Sequence, residues 1–594
     1  MGNGRSRDQI GNIIIDYLAM LYGEDVAGNT WKRLKPVLDD FKVEYSRSYR
    51  NEKINDEYWS EKDIILITYG DQFQAANTAP LQSLKKFLDK YLNHAISGVH
   101  ILPFYRYSSD DGFAVTNYRQ VDPKFGSWDD IRALRREYKL MFDAVINHVS
   151  SGHEWFQSYL KVQAPYINYF ISIGPNEDLS QVYRPRASSV TTNFMTDKGL
   201  QAVWTTFSDD QVDLNFTNPD VLLEIVDLLL FYIRQGANLI RLDAIPYLWK
   251  TVGTNSIHLP QTHIIVKIFR AILDLVAPDI LLITEANESQ GKNFQYFGKP
   301  VPNTTCYDEA QLVYQFALPP LLIHTFTSGN SEKLTRWAID MTAPSRHTSF
   351  FNLIASHDGI GMRPATGILT QTEIEALADR CIKHGGKIAY ITDAEGNQLP
   401  YELNISLYDI LNDPGDCGTE TGIVKFLAAQ VIMLSLTGIP GIYVHSLFGT
   451  SNDYIGFKKT GQPRSLNRKK FQLKKLQELL EDNNSIQNRI FFSYRQILHL
   501  RRKYSAFHPS GRQIILNLGN SNFSLLRESP DKKEAILCLV NITAYPQKVV
   551  INDIQTQCSL SDPLIDLIKQ ETYQPEDGEI LVRPYDSCWF LLKN

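Results

Sequence analysis

The chain has 594 residues, of which 43% are hydrophobic and 21% are charged, and its formal net charge is −6. This length gives room for about two to four domains and for a core that needs neither disulfides nor metals. The acidic balance does not fit a nucleic-acid-binding protein, which carries a basic excess. The six cysteines include no C-x-x-C pair, so we expect reduced thiols and a cytoplasmic location. We expect no bound metal and no cofactor.

Residues 1–61 are predicted to form a charged helical extension, because the apolar residues of 13–22 recur at helical spacing. Over residues 62–505, eight short apolar runs alternate with amphipathic segments. The runs cover residues 63–70, 98–105, 140–148, 237–244, 279–286, 312–319, 350–358 and 438–446. They are continuous rather than alternating, as strands buried on both faces are. This pattern predicts an α/β fold, a closed (β/α)8 TIM barrel.

Two connections are too long for simple barrel loops. Residues 149–204 follow the third predicted strand and residues 359–420 follow the seventh, and we predict an inserted subdomain in each. Residues 506–594 carry short alternating runs, ending with the runs at 547–553 and 586–593, which predict a C-terminal antiparallel β domain. The apolar stretch 426–444 contains a Gly-Ile-Pro-Gly break, so we predict a buried helix followed by a strand and no membrane span.

Polar residues end four of the predicted strands. They are Asp143 and His148, then Arg241 and Asp243, then Glu285, then His357 and Asp358. Each alone is compatible with a helix cap or a loop contact, but together they would converge at one end of the barrel. Arg241, two residues before Asp243, would keep that carboxylate ionised as a nucleophile must be. A partly desolvated Glu285 would suit general acid work, and such a carboxyl pair serves retaining glycoside chemistry.

The motifs DAVINH (143–148), RLDAIPY (241–247), TEAN (284–287) and ASHDG (355–359) resemble four ordered motifs of the α-amylase superfamily. Over about residues 62–510 the chain resembles the sucrose phosphorylase branch, through LITYGD (66–71), YRPR (183–186) and PRSLNR (463–468). The segment 253–269 is more similar to the members of that branch that phosphorolyse glucosylglycerate.

The resemblance implies that Asp243 is the nucleophile, Glu285 the acid/base and Asp358 the carboxylate that stabilises the transition state. The residues that would bind glucose are Asp110, Phe113, His148, Phe156, Arg241, His357 and Arg468. The residues that would receive phosphate or the acceptor alcohol are Arg184 or Arg186, Tyr247, Asn287 and His258. Asn287 stands where sucrose phosphorylases carry His, so the identity of the acceptor stays open. Asn147 matches a calcium position of some amylases, but the branch does without that metal.

We therefore expect a retaining α-glucoside phosphorylase whose partners are a small α-glucoside and inorganic phosphate, without nucleic acid or membrane. Glycerate, fructose, glycerol and a phosphorylated sugar remain open as the acceptor. Two alternative functions also remain open. One is a hydrolase or transglucosidase that uses the same three carboxylates. The other is an inactive barrel that serves as a binding subunit, although such proteins lack one of these carboxylates.

Overall fold

Eight parallel strands close into the predicted barrel. In this computed structural model, residues 6–48, 57–186, 189–392, 397–550 and 563–592 are described. The barrel strands are β1 Ile65–Thr68, β2 Gly98–Ile101, β3 Lys139–Ala144, β4 Ala237–Leu242, β5 Leu281–Thr284, β6 Leu312–Tyr314, β7 Ser349–Asn352 and β8 Ile439–Tyr443. Closure occurs where β8 pairs with β1, with Gly441 opposite Ile65. Each of the eight apolar runs supplies one strand, so the prediction of the fold class is confirmed.

Amphipathic helices surround the barrel and bury their apolar faces against it. They are Pro80–Phe87, Trp128–Arg135, Pro219–Arg234, Pro260–Val276, Gln290–Phe294, Leu318–Ser328, Glu332–Ile339, Glu420–Ser435, Leu473–Glu481 and Ile486–Arg501. The helix Pro219–Arg234 shows which local residues cause a barrel helix to begin. The Asn218 side chain caps it by accepting the Asp220 N–H, and proline occupies the first turn, where its missing N–H costs nothing.

Two N-terminal helices, Arg7–Tyr22 and Glu24–Ser48, pack on the outside of the barrel. The Tyr22 hydroxyl donates to the Phe216 carbonyl at 2.9 Å, and Arg33 pairs with Asp220 at 2.6 Å. Ser6 caps the first helix through a reciprocal pair of hydrogen bonds with Gln9. These contacts join the extension to the barrel helices that follow β3 and β4.

Both long connections carry small antiparallel sheets at the carboxyl ends of the barrel strands. The first holds the helix Glu154–Leu160 and the strands Ser172–Ile173, Thr191–Thr196 and Gly199–Trp204, and it is flanked by the paired strands His148–Ser150 and Gln211–Asp213. The second holds the helices Gln371–Lys383 and Leu407–Leu411 and the strands Ile360–Gly361, Lys387–Thr392 and Gln398–Asn404. Smaller elements lie in other loops of the barrel. They are the helix Tyr454–Thr460, the strand pair Tyr105–Tyr107 with Val115–Val121, and the strand pair Phe73–Gln74 with Phe471–Gln472. Active sites of such barrels lie at the carboxyl ends of the barrel strands.

The C-terminal region forms antiparallel sheets. Its strands are Arg512–Leu516, Asn522–Glu528, Ala535–Asn541, Gln547–Val550, Leu564–Ile565, Thr572–Tyr573, Glu579–Val582 and Ser587–Leu592. The Trp589 indole fixes this sheet to the barrel by donating to the Ser435 hydroxyl at 2.9 Å. The end of the predicted run at 547–553 lies outside the described residues. Among the described helices, none has the length and apolar character that crossing a bilayer requires.

Candidate active site

A cavity opens at the carboxyl ends of the barrel strands, and its empty space, including the solvent at its mouth, is about 740 Å³. Its walls come from strand ends, from both insertions and from the loop after β8. The lining residues are Asp110, Phe113, His148, Arg186, Phe207, Gln211, Arg241, Asp243, Ala244, Pro246, Tyr247, Glu285, Asn287, Glu288, Asp358, Tyr401, Glu402 and Arg464. The three predicted catalytic carboxylates are therefore brought together in one cavity.

The Asp243 carboxylate is held by a buried network of charges. Arg241 is 2% exposed and donates from Nη1 to Asp243 Oδ1 at 2.7 Å. The same guanidinium donates to Asp143, which is fully buried and lies 2.7 Å from His100 Nε2. A carboxylate fixed in this way is presented in one orientation, as a nucleophile requires.

Glu285 follows β5 and faces the same cavity. The N–H of Ala244, the residue after Asp243, donates to Glu285 Oε2 at 2.9 Å. Burial raises the pKa of both Asp243 and Glu285. Arg241 lies 2.7 Å from Asp243 but 3.9 Å from Glu285. The guanidinium therefore favours negative charge on Asp243 more strongly than on Glu285.

Asp358 is held by an arginine from another part of the chain. Arg464 Nη1 lies 2.8 Å from Asp358 Oδ1, and Arg464 Nε donates to Glu402 Oε1 at 3.0 Å. Burial opposes ionisation of Asp358, but neighbouring His357 and Arg464 hold its pKa well below the usual range. This residue therefore stays ionised, as the stabilisation of a cationic transition state demands.

The predicted glucose-binding residues surround these carboxylates. His148 Nε2 contacts the Phe113 carbonyl at 2.9 Å, and burial lowers the pKa of His148. The His357 ring stacks on Phe113 at a centroid distance of 5.0 Å. Arg468 donates from Nε to the His357 carbonyl at 2.9 Å, and its Nη1 lies 3.8 Å from Asp110 Oδ1. Asp110 and Phe113 reach the cavity, whereas His357 and Arg468 lie directly behind its wall.

Phe156 does not wall the cavity, contrary to the sequence-based prediction. It is fully buried inside the first insertion, where its ring packs against Tyr159, Phe170 and Phe194. The hydrophobic contacts among these aromatic residues determine its orientation. Phe207, from the end of the same insertion, lines the cavity instead.

The predicted acceptor residues divide into two groups. Arg186, Tyr247 and Asn287 line the cavity, and the buried side-chain oxygen of Asn287 has no hydrogen-bond partner among the residues that the structure describes. Arg184 is exposed and does not line it. His258 also lies behind the wall.

The His258 ring contacts the Tyr296 hydroxyl at 2.9 Å and lies 3.6 Å from the Glu288 carboxylate. Glu288 therefore stands between His258 and the cavity.

A buried lysine occupies the position next to Asn147. The Lys250 ammonium lies 2.6 Å from Asn147 Oδ1 and 2.6 Å from Asp213 Oδ2, and it is almost completely shielded from solvent. Its charge neutralises Asp213, and burial lowers the pKa of Lys250. In the described part of the chain, no group of three or more His, Cys, Asp or Glu residues is arranged to hold a metal ion.

Several residues of the site were not singled out from the sequence. Arg464 lies in the quoted PRSLNR motif, which could have signalled it. Glu402 and Tyr401 belong to a strand of the second insertion, and nothing in their local pattern marks them. Glu288 directly follows the TEAN motif, but the motif does not include it, and its local sequence does not indicate a role in the site.

Comparisons with known proteins agree with this geometry. The α-amylase catalytic domain family matches residues 69–358. The glucosylglycerate phosphorylase of Allomeiothermus silvanus is 46% identical over 537 residues, which cover 90% of this chain and 93% of the relative. The Escherichia coli protein of the same name is 38% identical over 577 residues, covering 97% and 99%. The crystal structure of sucrose 6F-phosphate phosphorylase from Thermoanaerobacter thermosaccharolyticum superposes with a TM-score of 0.70 at 23% identity, covering 83% of this chain and 95% of that one.

The barrel and its three convergent carboxylates define an enzyme of the retaining glycoside type. The chain belongs to the α-amylase family, in the branch formed by the glucosylglycerate and sucrose phosphorylases. It is therefore a glycoside phosphorylase, and the alternative of an inactive binding subunit does not apply.

Proposed function

We propose that this phosphorylase cleaves glucosylglycerate with inorganic phosphate and releases glycerate and α-glucose 1-phosphate. The similarity to two glucosylglycerate phosphorylases over nine tenths or more of the chain supports this substrate. The charges around the cavity also support it, because both phosphate and glycerate are anions that need a cationic partner.

In the first step, Asp243 attacks the anomeric carbon of the glucosyl group. The bond from this carbon to the glycerate oxygen breaks, and Glu285 gives its proton to that oxygen. Asp358 stabilises the positive charge that develops on the sugar ring. The product of the step is a β-glucosyl ester of Asp243.

In the second step, a phosphate oxygen attacks the same carbon and displaces Asp243, so the original configuration is restored. Phosphate is already ionised at neutral pH and needs little help from a base. It does need a cation that lets it outcompete water for the glucosyl enzyme. Tyr247 and Asn287 line the adjacent wall and would contact the incoming anion.

One observation carries the proposal. Three arginines line the cavity, and two of them are neutralised by carboxylates, Arg241 by Asp143 and Asp243 and Arg464 by Asp358 and Glu402. Arg186 has no such ion pair with any residue of the described ranges. It is therefore the guanidinium that remains available to an incoming anion.

The acceptor assay tests the substrate. The enzyme is incubated with α-glucose 1-phosphate and either glycerate, glycerol or fructose, and the release of phosphate is measured. We expect glycerate to give the highest kcat/KM. A clear preference for fructose would contradict the proposal and place the enzyme with the sucrose phosphorylases.

The products of the forward reaction separate phosphorolysis from its alternative. With glucosylglycerate and phosphate, we expect glucose 1-phosphate as the main product, whereas a hydrolase would release glucose. We also place the reaction in the cytoplasm, because the five cysteines of the described residues are free thiols.

A further inference from the structure

The loop that carries Arg186 has no regular structure to hold it. Residues 174–186 form neither helix nor strand. The nearest hydrophobic cluster joins Val182 and Val190 to Trp204, and it leaves the 183–186 segment to other contacts. What fixes this segment, here called the anion loop, therefore determines where Arg186 stands.

Among the described residues, three contacts from outside the first insertion act on Tyr183 of the anion loop, and one of them is the stacking of its ring on Tyr247 at a centroid distance of 6.3 Å. The Tyr183 N–H donates to the Asn255 carbonyl at 3.0 Å, which ties the anion loop to the segment after β4. The guanidinium of Arg363, from the loop after β7, stacks on the Tyr183 ring at 4.1 Å from its centroid. An arginine in this position over an aromatic ring is held by cation–π attraction as well as by packing.

Arg363 is itself oriented by the loop that carries the acid/base. Arg363 Nη2 lies 2.8 Å from Glu288 Oε1, and the Glu288 side chain is only 4% exposed. His258 and Lys292 approach the same carboxylate at 3.6 and 3.9 Å. Because the Arg363 guanidinium and the Lys292 ammonium lie near Glu288, this carboxylate repels an anion in the cavity less than an unpaired carboxylate would.

We infer that Arg363 is a positioning residue for phosphate, which joins the Glu288 carboxylate to the Tyr183 ring and so holds Arg186 against the cavity. Arg363 does not line the cavity and acts through the anion loop. The inference rests on the proposed function in one respect only, namely that phosphate attacks the glucosyl enzyme. It makes Arg363 a determinant of whether phosphate or water takes the glucosyl group.

The experiment uses α-glucosyl fluoride as the donor, because its leaving group needs no proton and no acceptor-specific contact. Glucose and glucose 1-phosphate are both measured over a range of phosphate concentrations. For Arg363→Met we expect the phosphate concentration at half-maximal glucose 1-phosphate formation to rise about tenfold. The ratio of glucose to glucose 1-phosphate should rise by a similar factor. Arg363→Lys, which keeps the charge near Glu288, should restore part of the loss.

Arg119 offers a matched control on the outer surface. It also pairs with a carboxylate, Asp227, and stacks on an aromatic ring, Phe231, at 5.1 Å. Arg119→Met should leave the product ratio unchanged. Thermal unfolding of each variant shows whether it is folded, and Tyr183→Leu provides a second way to break the same link if Arg363→Met is unstable.

The outcomes separate the inference from the function on which it rests. If the unmodified enzyme forms no glucose 1-phosphate from this donor and phosphate, the proposed function is wrong. If it does, but folded Arg363→Met and Tyr183→Leu keep the normal phosphate dependence, only the role of Arg363 is overturned.

Discussion

The two halves of the active site are built in different ways. On the side proposed to bind glucose, the charged residues are paired with one another, and the central ones, Arg241, Asp143 and Asp243, lie at the ends of barrel strands. On the side that faces the acceptor, the residues come from insertions and loops, and Arg186 has no carboxylate partner among the described residues. This difference shows that the proposed catalytic carboxylates are held by the barrel, whereas the residues that face the acceptor are held by loops.

The largest expected effect on activity comes from replacing Asp243, the carboxylate that Arg241 holds. Asp243→Asn should lower kcat at least about a thousandfold with any donor, because the nucleophile is lost while the shape is kept. Activity is measured with glucosylglycerate and with α-glucosyl fluoride, and thermal unfolding serves as the folding control. Near-normal turnover of either donor would refute the nucleophile assignment.

Glu285→Gln should remove the proton donor but leave the nucleophile. We expect kcat with glucosylglycerate to fall about 10²–10⁴-fold, with far smaller losses for α-glucosyl fluoride, whose leaving group needs no proton.

Because burial raises the pKa of Glu285, the unmodified enzyme keeps its acid protonated to a higher pH than an exposed glutamate would. Its kcat/KM with glucosylglycerate should fall only as pH rises through that value, and the pH profile of the variant should lack this fall. Equal losses for both donors would contradict the assignment.

Replacing Lys250 tests whether its buried ion pair with Asp213 contributes to the stability of the fold. Lys250→Met leaves Asp213 buried without its cation and should lower the free energy of unfolding by about 3 kcal/mol. Lys425 is a matched control, because it is also buried and its ammonium lies over the Tyr585 ring at 5.3 Å. Lys425→Met should change the free energy by less than about 1 kcal/mol. Equal losses in chemical denaturation would show that pairing with Asp213 contributes nothing special.

The smallest effect is expected on the acceptor side, where the two arginines of the YRPR motif now have different predictions. Arg186→Ala should raise the ratio of hydrolysis to phosphorolysis about tenfold, since a charge-assisted contact to phosphate is lost. Arg184→Ala should leave the ratio unchanged because Arg184 does not reach the cavity. Product analysis with both variants decides this, and an effect of Arg184 equal to that of Arg186 would exclude this loop assignment.

What the sequence could predict follows the same division. The barrel and its carboxylates could be predicted from the sequence, because a buried strand and the polar residue that ends it are neighbours in the chain, as in LIRLD (239–243). The contacts of Arg464 with Glu402 and of Arg363 with Tyr183 join residues far apart in the chain. No local pattern encodes such pairs. Phe156 was misplaced for a related reason, since the packing of the insertion, rather than its sequence position, orients the ring.

Ala244 has a consequence for how the enzyme can change. It adopts a left-handed backbone conformation with φ of 49°, which costs a non-glycine residue about 1 kcal/mol. This conformation aims its N–H at Glu285, one peptide bond away from Asp243. Asp243 and Glu285, the proposed nucleophile and acid/base, are therefore linked through one backbone hydrogen bond, so a change that moves one of them is expected to move the other. Descendants of this enzyme that accept other alcohols would have to arise by remodelling the insertions around an unaltered catalytic pair.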